Sequence, residues 1–252
     1  MKILINGYCG HMGREVARLA ADGFCGCTAA FGADVNAPAG DPVCVRDLKD
    51  ARTDVDVVVD FSHHTCTAAL LDFCTTHGLP LVLATTGQTP EERAMIRDAA
   101  DRIPLFFAAN YSVGIALLIR LAVQTAKALP DAEIEIIEQH HDRKLDAPSG
   151  TALAIADAIR TVRPDAENNL GRSGTGKRTK SEIGIHAVRM GNTVGTHEVI
   201  IGTGSQTITL KHEAHDRALF AEGALSAAVF LCDTAAGKPG LYGMEDMLGK
   251  TD

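Results

Sequence analysis

The chain has 252 residues, of which 46% are hydrophobic, enough to build one large domain or two smaller ones with a full core. A formal net charge of −8 argues against nonspecific binding to nucleic acid or to an anionic membrane, because both require a positive protein surface. No apolar stretch approaches the roughly 20 residues needed to cross a bilayer. The sequence leads from Met1-Lys2 directly into a strand with no signal peptide, so we expect a cytoplasmic protein.

The first 110 residues alternate short apolar runs with amphipathic segments. Strands that are apolar on both faces and are separated by helices are typical of a parallel sheet covered on both sides. The predicted strands are 2–6, 27–31, 55–61, 79–84 and 104–108, and the predicted helices end near 22 or cover 65–77 and 91–102.

A glycine-rich turn, GYCGHMG at 7–13, lies between the first strand and the first helix. Glycine lets a backbone turn sharply and approach a pyrophosphate, and the following helix would point its free N–H groups at the phosphates. The spacing Gly-x-x-Gly-x-x-Gly differs from the common Gly-x-Gly-x-x-Gly, so an ordinary glycine-rich loop stays open. Asp34, 21 residues after Gly13, is a candidate ribose-binding acid, although its segment also suits a plain turn.

Seven cysteines are present, an odd number, and they include no Cys-x-x-Cys pair. Neither a disulfide framework nor a zinc site is therefore indicated, and we expect most of them to be small apolar side chains in a reducing compartment. Cys9 is the exception, because it lies inside the glycine-rich turn, where thiol reagents would reach it. An incidental small residue is nevertheless the favoured interpretation of Cys9.

The pattern changes after Asn110. A long helix is predicted over 112–129, alternation follows over 132–141, and another helix begins near 149. Three strand-like runs, 183–189, 194–201 and 206–212, then follow one another without helices, which predicts an antiparallel sheet and a second domain of α+β type. We expect a closing helix over about 217–236 to return to the first domain.

The richest stretch for chemistry begins at 138, where four side chains that can carry positive charge fall within five residues: His140, His141, Arg143 and Lys144. In an acidic protein this cluster indicates an anion site. Ser149 is a candidate N-cap, and the N–H groups of Gly150 and Thr151 would bind a carboxylate. A solvated polar loop is the alternative. Adjacent histidines on a strand point to opposite faces, so no metal is expected.

The segment GRSGTGKRT at 171–179 nearly matches a nucleoside-triphosphate phosphate loop. Arg178 stands where that loop needs a magnesium-binding hydroxyl, and a strand follows where a helix is required. We therefore predict a mobile polar loop that could close over a ligand.

Taken together, these motifs resemble the 4-hydroxy-tetrahydrodipicolinate reductase (dihydrodipicolinate reductase) family of lysine and diaminopimelate biosynthesis. The resemblance covers essentially the whole chain, through the glycine-rich turn and DFS at 60–62, ATTG at 84–87, AANYSVG at 108–114, EQHHDRKLDAPSGTA at 138–152, IGIHAVRMGNTVGTHEV at 183–199 and GLYGMEDML at 240–248. It implies an NAD(P)H-dependent oxidoreductase that reduces the cyclic dicarboxylate 4-hydroxy-tetrahydrodipicolinate to tetrahydrodipicolinate.

The fold class implied by the resemblance is α/β with two domains. A Rossmann-like dinucleotide-binding domain covers 1–111 and is completed by 217–252. An α+β domain over 112–216 binds the substrate and builds a homotetramer.

The resemblance also implies roles for individual residues. His140 is the proton donor, and Lys144 is a second donor that polarises the substrate. The substrate contacts are His141, Lys144, Ser149, Gly150, Thr151 and Arg217. The cofactor contacts are Gly7, Tyr8, Cys9, Gly10, His11, Met12, Asp34, Ala84, Thr85, Thr86, Ala108, Ala109, Asn110 and Tyr111.

Two positions depart from the family pattern. Many members carry Arg where this chain has His11 and Val35, and both changes weaken a site for the 2′-phosphate of NADP. NADH is therefore the expected cofactor, with NADPH as the alternative. Three other functions stay open: a two-domain dehydrogenase acting on aspartate or homoserine, a nucleotide-binding sensor without turnover and, third, a phosphate-loop NTPase, which an absence of ATP hydrolysis would exclude.

Overall fold

A computed structural model describes residues 1–235 and 237–249 and divides the chain into two compact units. The first unit comprises Met1–Ser112 and the described part of Ala218–Asp252, and the second comprises Val113–Arg217. The predicted α/β fold class is confirmed, since the first unit has a Rossmann-like parallel sheet and the second has a sheet of its own.

Within the described residues there are twelve strands and seven α-helices. The strands are β1 (Lys2–Asn6), β2 (Ala29–Ala33), β3 (Cys44–Val45), β4 (Val57–Asp60), β5 (Leu81–Leu83), β6 (Pro104–Phe107), β7 (Glu133–His140), β8 (Glu167–Leu170), β9 (Glu182–Arg189), β10 (Gly195–Gly202), β11 (Thr207–Ala214) and β12 (Gly240–Tyr242). The helices are α1 (His11–Ala21), α2 (Thr67–His77), α3 (Pro90–Ala100), α4 (Val113–Ala128), α5 (Gly150–Arg160), α6 (Ala218–Val229) and α7 (Met244–Leu248).

The first unit is built on a seven-stranded sheet in the order β12-β6-β5-β4-β1-β2-β3, with every recorded pairing parallel. Alternate residues of β1 enter two different cores. Ile3 and Ile5 pack with α1 and α6 on one face, whereas Leu4 packs with α2 and α3 on the other. Because both faces are covered, the central strands are apolar at successive positions, and the predicted parallel sheet is confirmed.

The C-terminal part of the chain contributes α6 to the core of the first unit. A Cβ built on Gly223 of this helix would lie 1.7 Å from the carbonyl oxygen of Tyr111, so the helix needs glycine at this contact. The helix continues beyond Val229 as a π-helical turn, Phe230–Thr234. The predicted helix over 217–236 therefore has this change of winding within it, and its residue 236 lies outside the described part.

The second unit contains a five-stranded sheet in the order β11-β10-β7-β9-β8. Its apolar core joins one face of the sheet to α4 and α5. The predicted antiparallel sheet is only partly right: β10 pairs antiparallel with β7 and β11, but β9 pairs parallel with β7 and β8. A parallel pair needs a long crossover, and the segment carrying α5 and β8 provides it between β7 and β9.

The segment 171–179 is a loop that leads into β9, as predicted, and no helix follows it before that strand. Arg172 and Arg178 in this region form ion pairs with Glu135, at 3.0 and 3.1 Å. These arginines neutralise a carboxylate of the neighbouring strand.

In the part of the chain that the structure describes, none of the helices combines the length and apolar character that crossing a bilayer requires.

Candidate functional site

The glycine-rich turn connects β1 to α1, and its glycines differ in what they do. Gly7 has a φ of +84°, and a Cβ there would lie 2.5 Å from the carbonyl oxygen of Phe61. A Cβ on Gly13 would lie 2.1 Å from the carbonyl oxygen of Gly7. Gly10 is exposed, precedes α1, and a Cβ there would lie 3.2 Å from Gly7 O. Packing therefore requires Gly7 and Gly13, whereas Gly10 leaves the surface of the turn open.

Asp34 follows β2 and binds the glycine-rich turn directly. Its Oδ2 accepts a hydrogen bond from the backbone N–H of Cys9 at 2.9 Å, and its Oδ1 accepts one from Asn36 N–H at 2.8 Å. The Cys9 side chain is half-buried and lies beside Cys44. Burial, together with this neighbouring thiol, raises the pKa of Cys44 to about 12.

A cleft of about 620 Å³ opens beyond the carboxyl ends of β4, β5 and β6 in the first unit. Ligands of open α/β sheets bind at this edge. Eight predicted cofactor residues line the cleft: His11, Met12, Ala84, Thr85, Thr86, Ala109, Asn110 and Tyr111. The sequence did not assign four further lining residues, although the DFS motif includes two of them: Phe61, Ser62, His63 and Phe220.

Two buried polar side chains stabilise the strand ends at this cleft. Oδ1 of Asp60 accepts hydrogen bonds from Asn6 Nδ2 at 2.8 Å and from the Ser62 hydroxyl at 2.6 Å. Burial raises the pKa of Asp60, against the effect of these hydrogen bonds. The Tyr111 hydroxyl lies 2.9 Å from the Leu83 carbonyl oxygen, so its ring is fixed against β5.

In the second unit His140 ends β7, and a carboxylate two residues earlier binds it. Glu138 is fully buried, and its Oε2 lies 2.6 Å from Nδ1 of His140. The same carboxylate accepts two hydrogen bonds from Arg189 of β9, at 2.8 Å each, and one from the backbone N–H of Ser149 at 2.9 Å. Burial opposes ionisation of Glu138, but these hydrogen bonds hold its pKa below the usual value.

The pKa of His140 is lowered from its ordinary value. Burial is the main cause, and the positive charges of Lys144 and Arg189 act in the same direction, whereas the Glu138 carboxylate opposes them. Lys144 itself pairs with Asp146, with 2.8 Å between Nζ and Oδ1. The structure therefore brings His140 and Lys144 into one electrostatic environment.

Ser149 caps α5 as predicted, since its hydroxyl accepts a hydrogen bond from Ala152 N–H at 3.2 Å. Gly150 and Thr151 begin the helix, and Gly150 is exposed. The same hydroxyl also lies 3.2 Å from Nε2 of His197, a buried residue of β10. Burial lowers the pKa of His197 to about 4, so its ring is neutral at neutral pH.

Three further predicted or candidate residues differ in their surroundings. Nδ1 of His141 is buried and has no hydrogen-bond partner among the described residues. Arg143 is exposed and pairs with Asp142 at 3.1 Å, so it belongs to the surface. Arg217 is the last residue of the second unit and directly precedes α6. The described residues contain no group of three or more His, Cys, Asp or Glu side chains that could hold a metal ion.

Sequence reasoning missed Glu138, Arg189 and His197 as parts of this site. A signal for Glu138 was present, because it occupies the buried face of β7 together with Ile134 and Ile136. A carboxylate in register with buried isoleucines must have partners, and that requirement could have identified it.

Comparisons with known proteins agree over both units. The family model for the N-terminus of dihydrodipicolinate reductase matches residues 1–111, and the model for its C-terminus matches residues 114–248. A curated 4-hydroxy-tetrahydrodipicolinate reductase from Caldanaerobacter subterraneus subsp. tengcongensis is 43% identical, covering 99% of each chain. One from Clostridium tetani is 41% identical, covering 98% of this chain and 97% of the relative.

A solved structure is also similar to this chain. It is the dipicolinate-bound dihydrodipicolinate reductase from Paenisporosarcina sp. TG-14, with a TM-score of 0.80 and 26% sequence identity. The match covers 98% of each chain.

Proposed function

The chain belongs to the dihydrodipicolinate reductase family, and we propose that it reduces 4-hydroxy-tetrahydrodipicolinate to tetrahydrodipicolinate with a pyridine nucleotide, in lysine and diaminopimelate biosynthesis. The observation that carries this proposal is the site around His140. A titratable ring, held by a buried carboxylate, lies near Lys144 and the N-terminus of α5. That arrangement suits a reaction in which an anionic substrate must be bound and protonated.

The first unit fits a pyridine nucleotide. Gly10 places no side chain on the surface of the turn, and the N-terminus of α1 follows it, so a pyrophosphate can approach the backbone there. Asp34 would accept hydrogen bonds from the adenosine ribose, and the cleft at Ala84–Thr86 and Ala109–Tyr111 would receive the nicotinamide. When bound, the nucleotide supplies a hydride to the substrate ring.

We propose that NADH is preferred over NADPH. Asp34 carries the charge that would repel a 2′-phosphate, and two neighbouring positions offer no permanent positive charge to offset it. His11 lines the cleft, and Val35 is 79% exposed beside Asp34. An arginine at either position would supply that charge.

The second unit fits a cyclic dicarboxylate. Lys144 supplies a positive charge, and Nδ1 of His141 is a polar atom with no partner among the described residues. The N-terminus of α5 carries the backbone N–H groups of Gly150 and Thr151, and a substrate carboxylate would share the Gly150 N–H with Asp146, which interacts with it in this structure. Arg217 is proposed as a further substrate contact.

The 4-hydroxyl of the substrate must leave as water, which leaves a conjugated double bond in the ring for the hydride to add to. Hydride addition then leaves an electron-rich carbon next to the reduced one, and His140 would protonate it, with the Glu138 carboxylate favouring the protonated ring.

We further propose a homotetramer assembled through the second unit. The sheet face opposite to α4 and α5 carries Ile137, Val188 and Ile200, which are only partly buried. A second copy would bury these side chains. Ile200→Glu should lower the molar mass measured by light scattering, whereas an unchanged mass would contradict assembly through this face. The cytoplasmic location stays a prediction.

The experiment that tests the activity is oxidation of NADH and of NADPH, measured side by side with enzymatically generated 4-hydroxy-tetrahydrodipicolinate. Turnover with a higher kcat/KM for NADH is expected. Nucleotide binding without turnover would favour a sensor. Reduction of NAD⁺ in the presence of aspartate or homoserine, with no turnover of the cyclic dicarboxylate, would favour the other dehydrogenase class.

A further inference from the structure

We infer that Glu138 is a positioning residue that fixes the proton donor relative to the substrate-binding helix. Its two carboxylate oxygens bind Nδ1 of His140 and the backbone N–H of Ser149 at once, so the proton delivered to substrate leaves from Nε2 of His140. This inference rests on the proposed function, because it takes His140 as the donor.

The first step is that Glu138 has no freedom to move. Its side chain is 0% exposed, and Arg189 donates a bidentate pair of hydrogen bonds to its two carboxylate oxygens, each at 2.8 Å. The remaining hydrogen bonds, to His140 at 2.6 Å and to Ser149 at 2.9 Å, then have fixed directions. A planar Arg–carboxylate pair provides this kind of geometric definition.

The second step concerns the two ring nitrogens of His140. An ionised carboxylate can only accept hydrogen bonds, so Nδ1 must carry a hydrogen and Nε2 is the atom that exchanges a proton. A Cβ on Gly195 would lie 3.1 Å from Nε2, so the glycine at this position keeps space beside that nitrogen. The His140 side chain retains 11% exposure.

The third step is that the same carboxylate reaches the anion-binding side of the site. Ser149 caps α5, so a hydrogen bond from its N–H to Glu138 fixes the first turn of that helix against β7. The buried carboxylate of Glu138 therefore holds both the proton donor and the helix end that carries the proposed carboxylate-binding N–H groups. The distance between them determines whether a bound substrate meets Nε2.

The charges around His140 explain why the side chain that binds its Nδ1 must be negatively charged. Arg189 faces it from β9 and Lys144 from the loop after β7, and both lower its pKa in addition to the effect of burial. Asp146 pairs with Lys144. The neutral ring of His197, on β10, packs edge-on against the ring of His140 with 5.2 Å between the ring centroids, and His212 of β11 is paired with His197 across the two strands. Glu138 is the side chain that raises the pKa of His140 in this setting.

The test is Glu138→Gln, which keeps the size of the side chain and removes its charge. Three measurements are made on the folded protein: kcat with saturating NADH, the pH dependence of kcat/KM, and the pKa of His140 from NMR titration of its ring protons. A donor is active when protonated, so activity falls as pH rises through its pKa. We expect the pKa of His140 to be lower in the variant, so that the loss of kcat/KM with rising pH begins at a lower pH. We also expect kcat to decrease by about 10²-fold, with unchanged NADH affinity.

Glu135→Gln is the matched control. Glu135 lies on the same strand and also binds a histidine and an arginine, His186 at 2.8 Å and Arg178 at 3.1 Å. The Glu135→Gln variant should leave the NMR titration of His140 unchanged. If Glu138→Gln does not fold, Glu138→Asp serves instead. It keeps the charge, but its shorter side chain cannot bind His140 and Ser149 at once, so kcat should again fall while the pKa of His140 changes less.

A folded Glu138→Gln variant with the His140 titration and the pH profile of the unsubstituted protein, or a folded Glu138→Asp variant with the kcat of the unsubstituted protein, would overturn the inference and leave Glu138 as an internal ion pair. The NMR titration needs no substrate, so this result is separate from a failure of the proposed activity. That activity is tested independently by turnover of the unsubstituted enzyme.

Discussion

The backbone N–H of Cys9 donates a hydrogen bond to Oδ2 of Asp34 across 2.9 Å, so one carboxylate joins the glycine-rich turn to the end of β2. The other oxygen of Asp34 accepts a hydrogen bond from Asn36 N–H. The acid is therefore held in place before any ligand arrives. Ribose hydroxyls would have to share oxygens that already accept backbone N–H groups.

Asp34→Asn should narrow the preference for NADH over NADPH. The amide oxygen can still accept one backbone hydrogen bond, while the charge that repels a 2′-phosphate is lost. Two charges about 4 Å apart near a protein surface interact by roughly 1 to 4 kcal/mol, so we expect a change of about fivefold or more in the ratio of kcat/KM for the two nucleotides. Steady-state kinetics with both nucleotides measures this ratio.

Asp41→Asn is the control for Asp34. Asp41 also accepts backbone hydrogen bonds, from Val43 at 2.8 Å and from Cys44 at 3.0 Å, close to the same turn. It should leave the nucleotide ratio unchanged. If Asp34→Asn also leaves it unchanged, Asp34 serves only to stabilise the turn.

Gly10→Val should weaken nucleotide binding far more than it destabilises the fold. The new side chain would occupy the surface where the pyrophosphate is proposed to lie, yet its Cβ would have its nearest contact with Gly7 O at 3.2 Å. By contrast, Gly13→Ala places a Cβ 2.1 Å from that same oxygen and should lower the melting temperature strongly. Thermal unfolding and NADH fluorescence titration separate the two effects, and a folded Gly10→Val variant with normal NADH affinity would show that the turn does not contact the phosphates.

The first unit was predictable because its signals are local. Strands such as β1 and β4 are apolar on both faces and alternate with helices, a pattern that only a covered parallel sheet explains. The short strands β3 and β12 were missed, because two or three residues carry no periodicity. In the same way, β8 has the polar sequence ENNL, and nothing in it alternates.

The second unit was less predictable because its features depend on distant pairing. Whether β9 runs parallel or antiparallel to β7 is decided by the route of the chain between them, and the unrecognised β8 lies on that route. The role of Glu138 was hard to predict for a related reason, although its position among buried isoleucines indicates that it needs partners. Its partners His140, Ser149 and Arg189 come from three separate elements, and local sequence shows only the first.

His197 should make the protein less stable in acid. Its pKa is lowered by burial to about 4, whereas the unfolded chain has the ordinary value near 6.5. As pH falls from 6.5 to 4, the unfolded chain gains a proton that the folded protein does not, so folding stability decreases. The loss should be on the order of 3 kcal/mol. Urea unfolding at pH 7 and at pH 4 measures it.

His197→Gln provides the comparison for that effect. The amide oxygen can accept the hydrogen bond of the Ser149 hydroxyl, which lies 3.2 Å from Nε2 of His197, but it does not titrate. The difference in stability between pH 7 and pH 4 should become smaller in this variant. An equal difference in both proteins would assign the acid sensitivity to other groups.

His140 and Lys144 should separate into two roles. His140→Gln should lower kcat by about 10²–10⁴-fold, the usual contribution of a positioned acid, with a smaller effect on substrate affinity. Lys144→Met removes a charge proposed to hold and polarise the substrate, so kcat and KM for the substrate should both worsen. NADH affinity should be unchanged in both variants. Steady-state kinetics and NADH titration measure these quantities.

The control for positive charge in this segment is Arg143→Met. Arg143 precedes Lys144 but is exposed and pairs with Asp142, so its loss should change kcat and KM little.

The double variant of His140 and Lys144 should lose less activity than the product of the single losses, because both groups act on one transition state and the charge of Lys144 lowers the pKa of His140. Nearly normal turnover in a folded His140→Gln protein would refute the donor assignment. Loss of NADH binding in either single variant would place this cluster at the nucleotide instead of the substrate.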